Sequence, residues 1–350
     1  MTKDLERKFI ECTHRNQQDY LEYLYKFYSG IQNFQRYPYT PHKIDNKILW
    51  QEESTQLIDF GLPDKLYDSI VLFIPSFINK SYILDITKDR SLLKYCANCS
   101  YRPVLLDWGN PHHNEVNYNF ESYLNERILP VLRLLWDISS KIVIAGYCLG
   151  GLSAIAAAQL MPRVISGLVL LATPWNFSHF QEKSKTLENS INLLLSSNSM
   201  VHSTHLRYFF HSLAPHSKIY DKFIEFTRYM EDTQKAELFV AVERWAMDDM
   251  NIARGVFHEC YYDFIIDNKA FNNQWIINGQ IIDPTKIKIK SLIVIPAKDH
   301  IVPYDSVAPI IKLLDNNTVI LPESGHVGMI IGEKAETQLW QPMISWLESL

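Results

Sequence analysis

The chain has 350 residues, 47% of them hydrophobic and 21% charged, with 19 tyrosines, 17 phenylalanines and a formal net charge of −5. That length accommodates one large α/β domain with an insertion, or two modest domains, and the composition, that of an ordinary soluble globular protein, argues against disorder except at the ends. Neither sign of charge is gathered into a long block, which argues against a nucleic-acid partner held on a basic surface.

The N-terminus, MTKDLERKFIECTHRNQQDY, is charged and lacks an apolar signal core, and no uninterrupted apolar run approaches a membrane span. A soluble, cytoplasmic protein with no transmembrane segment is expected. From Asp4 to about Phe34, helix formers carry Phe9, Tyr20, Tyr23, Leu24, Phe27, Tyr28 and Ile31 at mixed three- and four-residue spacings, which predicts a helical preamble within residues 1–44. The stretch RYPYTPHKIDNKILWQEEST holds two prolines and predicts a surface-wrapping segment before strands at Lys47 to Glu52 and Thr55 to Phe60.

SIVLFIP then predicts a short strand buried on both faces. SYILDITKDRSLLKYCANCS reads as loop then helix, YRPVLLDWG as a strand closing in the turn residues Gly109-Asn110-Pro111, and NFESYLNERILPVLRLLWDI as an amphipathic helix. SKIVIAG is another buried strand, GLSAIAAAQL a helix and VISGLVLLATP a strand; much later KSLIVIPAKD and NTVILPESGH supply two more. Strand alternating with helix in this way predicts an α/β fold with a mostly parallel, doubly wound sheet, whose sites gather at the carboxyl ends of the strands.

Between Phe177 and Lys286 the rhythm changes. Helical patterns (SINLLLSSN, KFIEFTRYM, AELFVAVERWAM, ARGVFHECYYDFII) follow one another with no buried-strand run, which predicts a helical lid inserted over the sheet, and QWIINGQIID predicts a hairpin turning at Asn-Gly. The expected division is a preamble over 1–44, a first core part over 45–177, the lid over 178–286 and a second core part over 287–350. Trp175, Phe177 and Trp245 read as packing residues.

Five cysteines, Cys12, Cys96, Cys99, Cys148 and Cys260, form an odd, scattered set that fits a reducing cytoplasm better than a disulfide framework. Cys96 and Cys99 have C-x-x-C spacing without a second pair, and read as structural thiols on a helix rather than a zinc or redox site. No metal and no cofactor is expected.

The chemistry gathers at Ala145-Gly146-Tyr147-Cys148-Leu149-Gly150-Gly151. A strand, then glycine-x-nucleophile-x-glycine, then a helix opening with small residues is a nucleophile elbow. Gly146 and Gly150 leave space where a Cβ would collide with neighbouring strand and helix. Cys148 sits at a helix N-terminus, where peptide dipoles favour a thiolate, and the Leu149 N–H points where an acyl oxyanion would form. A second oxyanion donor is expected from the loop after SIVLFIP, at Phe77 or Ile78. Asp299 closes a later strand 151 positions after Cys148, and His326 closes the last strand 27 positions further on. His326 is the expected base and Asp299 the group that orients it; His300 competes for the role of base but shares the Asp299 loop and has no strand end of its own. Against this stands the plainer reading of a buried cysteine that only packs.

By itself GYCLGG resembles the elbow of dienelactone hydrolases, which are much shorter and have no large lid between the cysteine and its partners. Taken with PSFINKSYILDITKDRSLLKY, VLLDWGNP, LVLLATPWNF, INGQIIDPTKIK, AKDHIVP and SGHVGM, the chain from about residue 45 onward resembles the poly(3-hydroxyalkanoate) synthases of the α/β-hydrolase fold, most closely the short class that works with a second subunit. Leu149 after the cysteine and TPWNF depart from that family's usual residues. The resemblance implies Cys148 as acyl-carrying nucleophile, Asp299 as triad acid and His326 as base. It implies (R)-3-hydroxyacyl-CoA as substrate, free CoA as product, a growing polyester chain or granule as acceptor, and a second synthase subunit and a homodimer as candidate partners.

The chemistry agrees. Thiolate attack on an acyl thioester exchanges one thioester for another and is close to thermoneutral, and transfer to a hydroxyl then requires water to be kept out, which a lid provides. The incoming 3-hydroxyl is deprotonated by His326 or by Asp299. A hydrolase with the same triad, acting on a polyester, lactone or thioester, is the alternative, and a non-enzymatic granule- or partner-binding member is a third reading.

Overall fold

The computed structural model describes residues 17–42, 46–196, 199–202, 204–205 and 219–350. Its centre is an eight-stranded sheet of β1 (Lys47–Glu52), β2 (Thr55–Asp59), β3 (Ser69–Ile74), β4 (Tyr101–Asp107), β5 (Ile142–Tyr147), β6 (Ile165–Leu171), β7 (Lys290–Val294) and β8 (Asn317–Ile320). The strand order is β1-β2-β4-β3-β5-β6-β7-β8. The pairs β1/β2 and β2/β4 are antiparallel, and every pair from β4 through β8 is parallel. The expected mostly parallel α/β sheet is therefore the fold. β3 and β5 are buried at every position, which is why their sequences run apolar without alternation, whereas the edge strand β1 is largely exposed.

Helices occupy the crossovers. Helix α1 (Gln17–Arg36) precedes the sheet, α2 (Leu92–Asn98) joins β3 to β4, and the helix α3 runs through Phe120–Tyr123, Leu124–Ile128 and Leu129–Ile138 between β4 and β5. Ahead of α2 the chain forms a 3-10 turn (Ser81–Leu84) and a small antiparallel pair, Asp85–Thr87 with Arg90–Ser91, where only a loop was expected. The middle segment of α3 is a π turn. Its cause is Pro130, which has no N–H to offer the carbonyl of Glu126 one turn back; that carbonyl accepts instead from Arg127 Nη1 at 3.1 Å. Helix α4 (Gly150–Leu160) follows β5 and is buried from Gly150 through Ala158, its small side chains letting it lie close on the sheet. Cys96 is buried and Cys99 half-buried at the end of α2, and both are free thiols.

Between β6 and β7 lie α5 (Ser178–Lys185), α6 (Glu188–Ser196), α7 (Ile219–Tyr229), α8 (Thr233–Met247) and α9 (Arg254–His258, continuing as a π-helical Glu259–Ile266). One feature that helical patterning hides is a two-residue antiparallel pair, Val201–His202 with Asn251–Ile252. The hairpin Ile276–Ile277 and Gln280–Ile281 turns at Asn278 and Gly279, whose φ angles of 50° and 70° fit the left-handed turn an Asn-Gly pair favours.

Helix α1 does not stand apart. It lies on α7, where Phe34, Phe226, Ala236 and Val240 form a second, smaller core. Phe34 meets Phe223 and Phe239 edge-on at 5.7 and 6.3 Å, and Phe226 stacks on Phe239 at 4.6 Å. The close approach depends on Gly30, where a Cβ would fall 2.0 Å from the Phe223 carbonyl oxygen. The start of the expected preamble, Asp4 to Asn16 with Phe9 and Cys12, lies outside the described residues, as does part of the segment between α6 and α7.

Replacing Gly30 by alanine forces α1 off α7. Gly30→Ala is expected to lower unfolding stability by roughly 1–3 kcal/mol in a denaturant titration, with hydrogen-exchange protection lost first in α1 and α7.

Candidate active site

The elbow is built from backbone constraint. β5 ends at Tyr147, α4 begins at Gly150, and between them Cys148 adopts a left-handed backbone, φ 54°. This conformation costs a non-glycine residue about 1–3 kcal/mol and persists only where the surroundings impose it. Here the Cys148 N–H donates to the Leu171 carbonyl at 2.9 Å, and its carbonyl accepts from Gly151 N–H at 3.0 Å. A Cβ on Gly146 would lie 2.4 Å from Gly151 Cα, and one on Gly150 would lie 2.2 Å from the Ile74 carbonyl oxygen. Gly151, to which the sequence reading gave no part, is as restricted: its Cβ would fall 1.8 Å from Thr173 Oγ1.

The three residues expected from sequence are brought together from three strand ends. Asp299 follows β7; its Oδ1 accepts from the N–H groups of Ile301 and Val302, both at 2.8 Å, which leaves Oδ2 to accept from His326 Nδ1 at 2.7 Å. His326 follows β8, and with Nδ1 taken by Asp299 its remaining ring nitrogen, Nε2, is the one left for Cys148, which lines the same cavity. Cys148, Asp299 and His326 are 6%, 7% and 8% exposed. Burial works against charge on His326, yet the negative field of Cys148 and the hydrogen bonds to Asp299 and Cys148 raise its pKa from 6.5 to about 10. His300 lines the cavity mouth and is exposed, while Asp299 is turned to His326. Of the two histidines, His326 is the one whose ring nitrogen is held by Asp299.

Above the cluster is a cavity of about 380 Å³, lined mostly by apolar groups. Its lining takes Tyr147, Cys148 and His326 from the cluster, Ser76, Ile78 and Lys80 from the side of the loop after β3, and Phe180 of α5 with Val242, Trp245 and Ala246 from the side of α8. The two sides are tied: Trp245 Nε1 donates to the Lys80 carbonyl at 2.7 Å, and the Tyr82 hydroxyl donates to Asp248 Oδ2 at 2.9 Å. Trp175 and Phe177 are buried packing residues as expected, but Trp245 both packs and faces the cavity.

The two candidates for a second oxyanion donor differ. The Phe77 ring turns into the core and stacks on Trp108 at 4.4 Å, while Ile78 faces the cavity and its N–H donates to Ser76 Oγ at 3.3 Å. Leu149 is the N-cap of α4, directly before Gly150, at the helix end whose N–H groups have no partner within the helix. Sequence reasoning missed Tyr147, whose ring stacks on that of His326; its position before the nucleophile was the only signal.

The family described as alpha/beta hydrolase fold matches residues 70–333, and the family described as the poly-beta-hydroxybutyrate polymerase (PhaC) N-terminus matches residues 42–96. The chain belongs to the alpha/beta hydrolase fold family and is similar over most of its length to poly(3-hydroxyalkanoate) polymerase subunits. It is 24% identical to the poly(3-hydroxyalkanoate) polymerase subunit PhaC of Allochromatium vinosum, over 94% of this chain and 96% of that one. Identity to the subunit of the same name from Synechocystis is 24%, over 95% and 92%. The Haloferax mediterranei subunit is 23% identical over 87% of this chain, which spans only 64% of that relative's length. Among solved structures, the enol-lactonase of Burkholderia xenovorans superposes with a TM-score of 0.55 at 14% identity, covering 84% of this chain and 97% of that one. MenH of S. aureus gives 0.55 at 13%, covering 84% and 99%. These likenesses show the fold.

A histidine raised above 6.5 in the fold adds stability that is complete below pH 6.5 and is lost as pH rises through about 10. An NMR titration of the His326 ring is therefore expected to give a midpoint far above 6.5, and Cys148→Ala, which removes the strongest partner raising it, is expected to move that midpoint down. An unchanged midpoint in the variant would separate the two residues.

Proposed function

We propose that this chain is an acyltransferase that polymerises (R)-3-hydroxyacyl-CoA into polyhydroxyalkanoate with release of CoA, through an acyl group carried on Cys148. The observation that carries the reading is a cysteine, not a serine, at the elbow, beside the paired His326 and Asp299 in the lining of a mostly apolar cavity, in a chain similar over nearly its whole length to polymerase subunits.

In acylation the Cys148 thiolate attacks the thioester carbonyl carbon. The tetrahedral oxyanion is held by the Leu149 N–H and by an N–H of the loop after β3, Phe77 rather than Ile78, because the Ile78 N–H already serves Ser76. The carbon–sulfur bond to CoA breaks, and the CoA thiolate takes the proton of the His326 imidazolium. His326 is then neutral and able to accept a proton through Nε2 from the hydroxyl of the next hydroxyacyl group or chain end, which attacks the acyl-cysteine and leaves the Cys148 thiolate and the imidazolium restored. Asp299 holds the ring in register throughout. Both steps conserve protons.

Polymer rather than free acid requires that the acyl-cysteine meet a hydroxyl before water. The apolar lining, and the roof of α5 and α8 tied down at Lys80 and Tyr82, support that requirement. In this reading residues 178–286 serve as a lid, the enzyme works at the surface of the polyester it makes, and a second synthase subunit or a second copy of the chain completes the active assembly. No described helix is long and apolar enough to cross a membrane.

Purified protein is given (R)-3-hydroxybutyryl-CoA, and free thiol and polymer are followed together, alone and with candidate partner subunits. CoA release accompanied by polymer is expected, and Cys148→Ala is expected to lower release by at least about three orders of magnitude. Free hydroxyacid without polymer would favour the hydrolase alternative, and wild-type release by Cys148→Ala would remove the nucleophile assignment.

A further inference from the structure

One contact in the lining of the cavity has no part in the chemistry above. The Tyr147 ring lies against the His326 ring with centroids 5.1 Å apart and planes inclined by 30°. The Tyr147 hydroxyl donates to the His326 main-chain carbonyl at 3.5 Å, the outer limit of a hydrogen bond. Tyr147 is 4% exposed and lines the cavity beside the nucleophile.

The geometry explains what this contact does. The bond from His326 Nδ1 to Asp299 Oδ2 fixes one edge of the imidazole but leaves the ring free to swing about the Nδ1 to Oδ2 line. The attraction between the Cys148 thiolate and the imidazolium opposes that swing while the sulfur is free, but it is lost when the sulfur carries an acyl group. A ring stacked on the imidazole face restrains the swing at every stage, and an aromatic face also favours the imidazolium. The stack is available because Tyr147 is the last residue of β5, directly before the left-handed turn at Cys148, so the strand that presents the nucleophile presents this ring beside it.

We propose that Tyr147 is a positioning residue that holds the His326 imidazole by its face, complementing the edge contact from Asp299, and that its effect falls mainly on transfer of the acyl group from Cys148 to the incoming hydroxyl. This inference rests on the acyl-cysteine reading for its kinetic part. The clamp on His326 stands on the stacking geometry alone. The hydroxyl contributes little, so phenylalanine replaces tyrosine.

The test compares Tyr147→Phe and Tyr147→Leu, both checked for wild-type circular dichroism. In rapid-mixing assays with (R)-3-hydroxybutyryl-CoA, Tyr147→Leu is expected to keep the first turnover of CoA release and to lose about 10- to 100-fold in the steady state, the loss typical of a misplaced catalytic group. Tyr147→Phe is expected to keep both phases. In NMR titrations the His326 midpoint is expected to fall in the leucine variant and to hold in the phenylalanine variant. A leucine variant with wild-type steady-state rate and His326 midpoint would overturn the proposal, as would a phenylalanine variant as impaired as leucine. If wild-type protein releases no CoA at all, the polymerase reading fails, while the His326 titrations still decide the clamp.

Discussion

The left-handed backbone at Cys148 is the constraint on which the site depends. It projects the thiol from the end of a buried strand, starts α4 with its N–H groups facing the same point, and turns Tyr147 toward the last strand's loop. A residue in that conformation relaxes unless its neighbours forbid it. Gly146, Gly150 and Gly151 let strand, turn and helix pack so closely that relaxation has nowhere to go, and the bond from Cys148 N–H to Leu171 ties the turn to β6. Strain at one residue is thus offset by packing across three strands.

The electrostatics follow from that placement. A buried imidazole alone would resist protonation, and a buried carboxylate alone would be costly. Asp299 has both oxygens occupied, one by two loop N–H groups and one by His326, and His326 lies between it and Cys148. Each member satisfies the next, so the row is stable away from water and, in the proposed chemistry, keeps a proton on His326 for a leaving thiolate. The roof extends the same logic: α8 meets the loop after β3 through Trp245 and Asp248, and α8 in turn shares a small aromatic core with α1 and α7. The N-terminal helix is therefore linked by packing to the cover of the site.

Much of this was legible in the sequence because it rests on local rules. Continuous β-branched runs such as SIVLFI mark strands buried on both faces, Asn278-Gly279 marks a hairpin, and glycines at fixed offsets around Cys148 mark a tight strand-to-helix turn. Asp299 and His326 were singled out in the sequence because they follow strand ends, where such sheets gather their chemistry, and the structure brings them into hydrogen-bond contact. What was hidden depends on contacts between distant segments. Nothing in the periodicity of α1 says that Phe34 meets Phe223 and Phe239, and Trp245 reads as ordinary packing until its indole is seen reaching Lys80. The π turn in α3 needed the missing donor of Pro130 and the reach of Arg127 to be weighed together. Tyr147 was passed over because stacking on a histidine 179 positions away leaves no local trace.

The central claim is that Cys148 carries the acyl group. The most direct measurement is peptide mapping by mass spectrometry of protein mixed with (R)-3-hydroxybutyryl-CoA and quenched in acid within the first turnovers. The expected result is one or more hydroxybutyryl groups on the peptide containing Cys148, removed by hydroxylamine. An unmodified Cys148 peptide in protein that is releasing CoA, or an acyl group found on another residue, would contradict it.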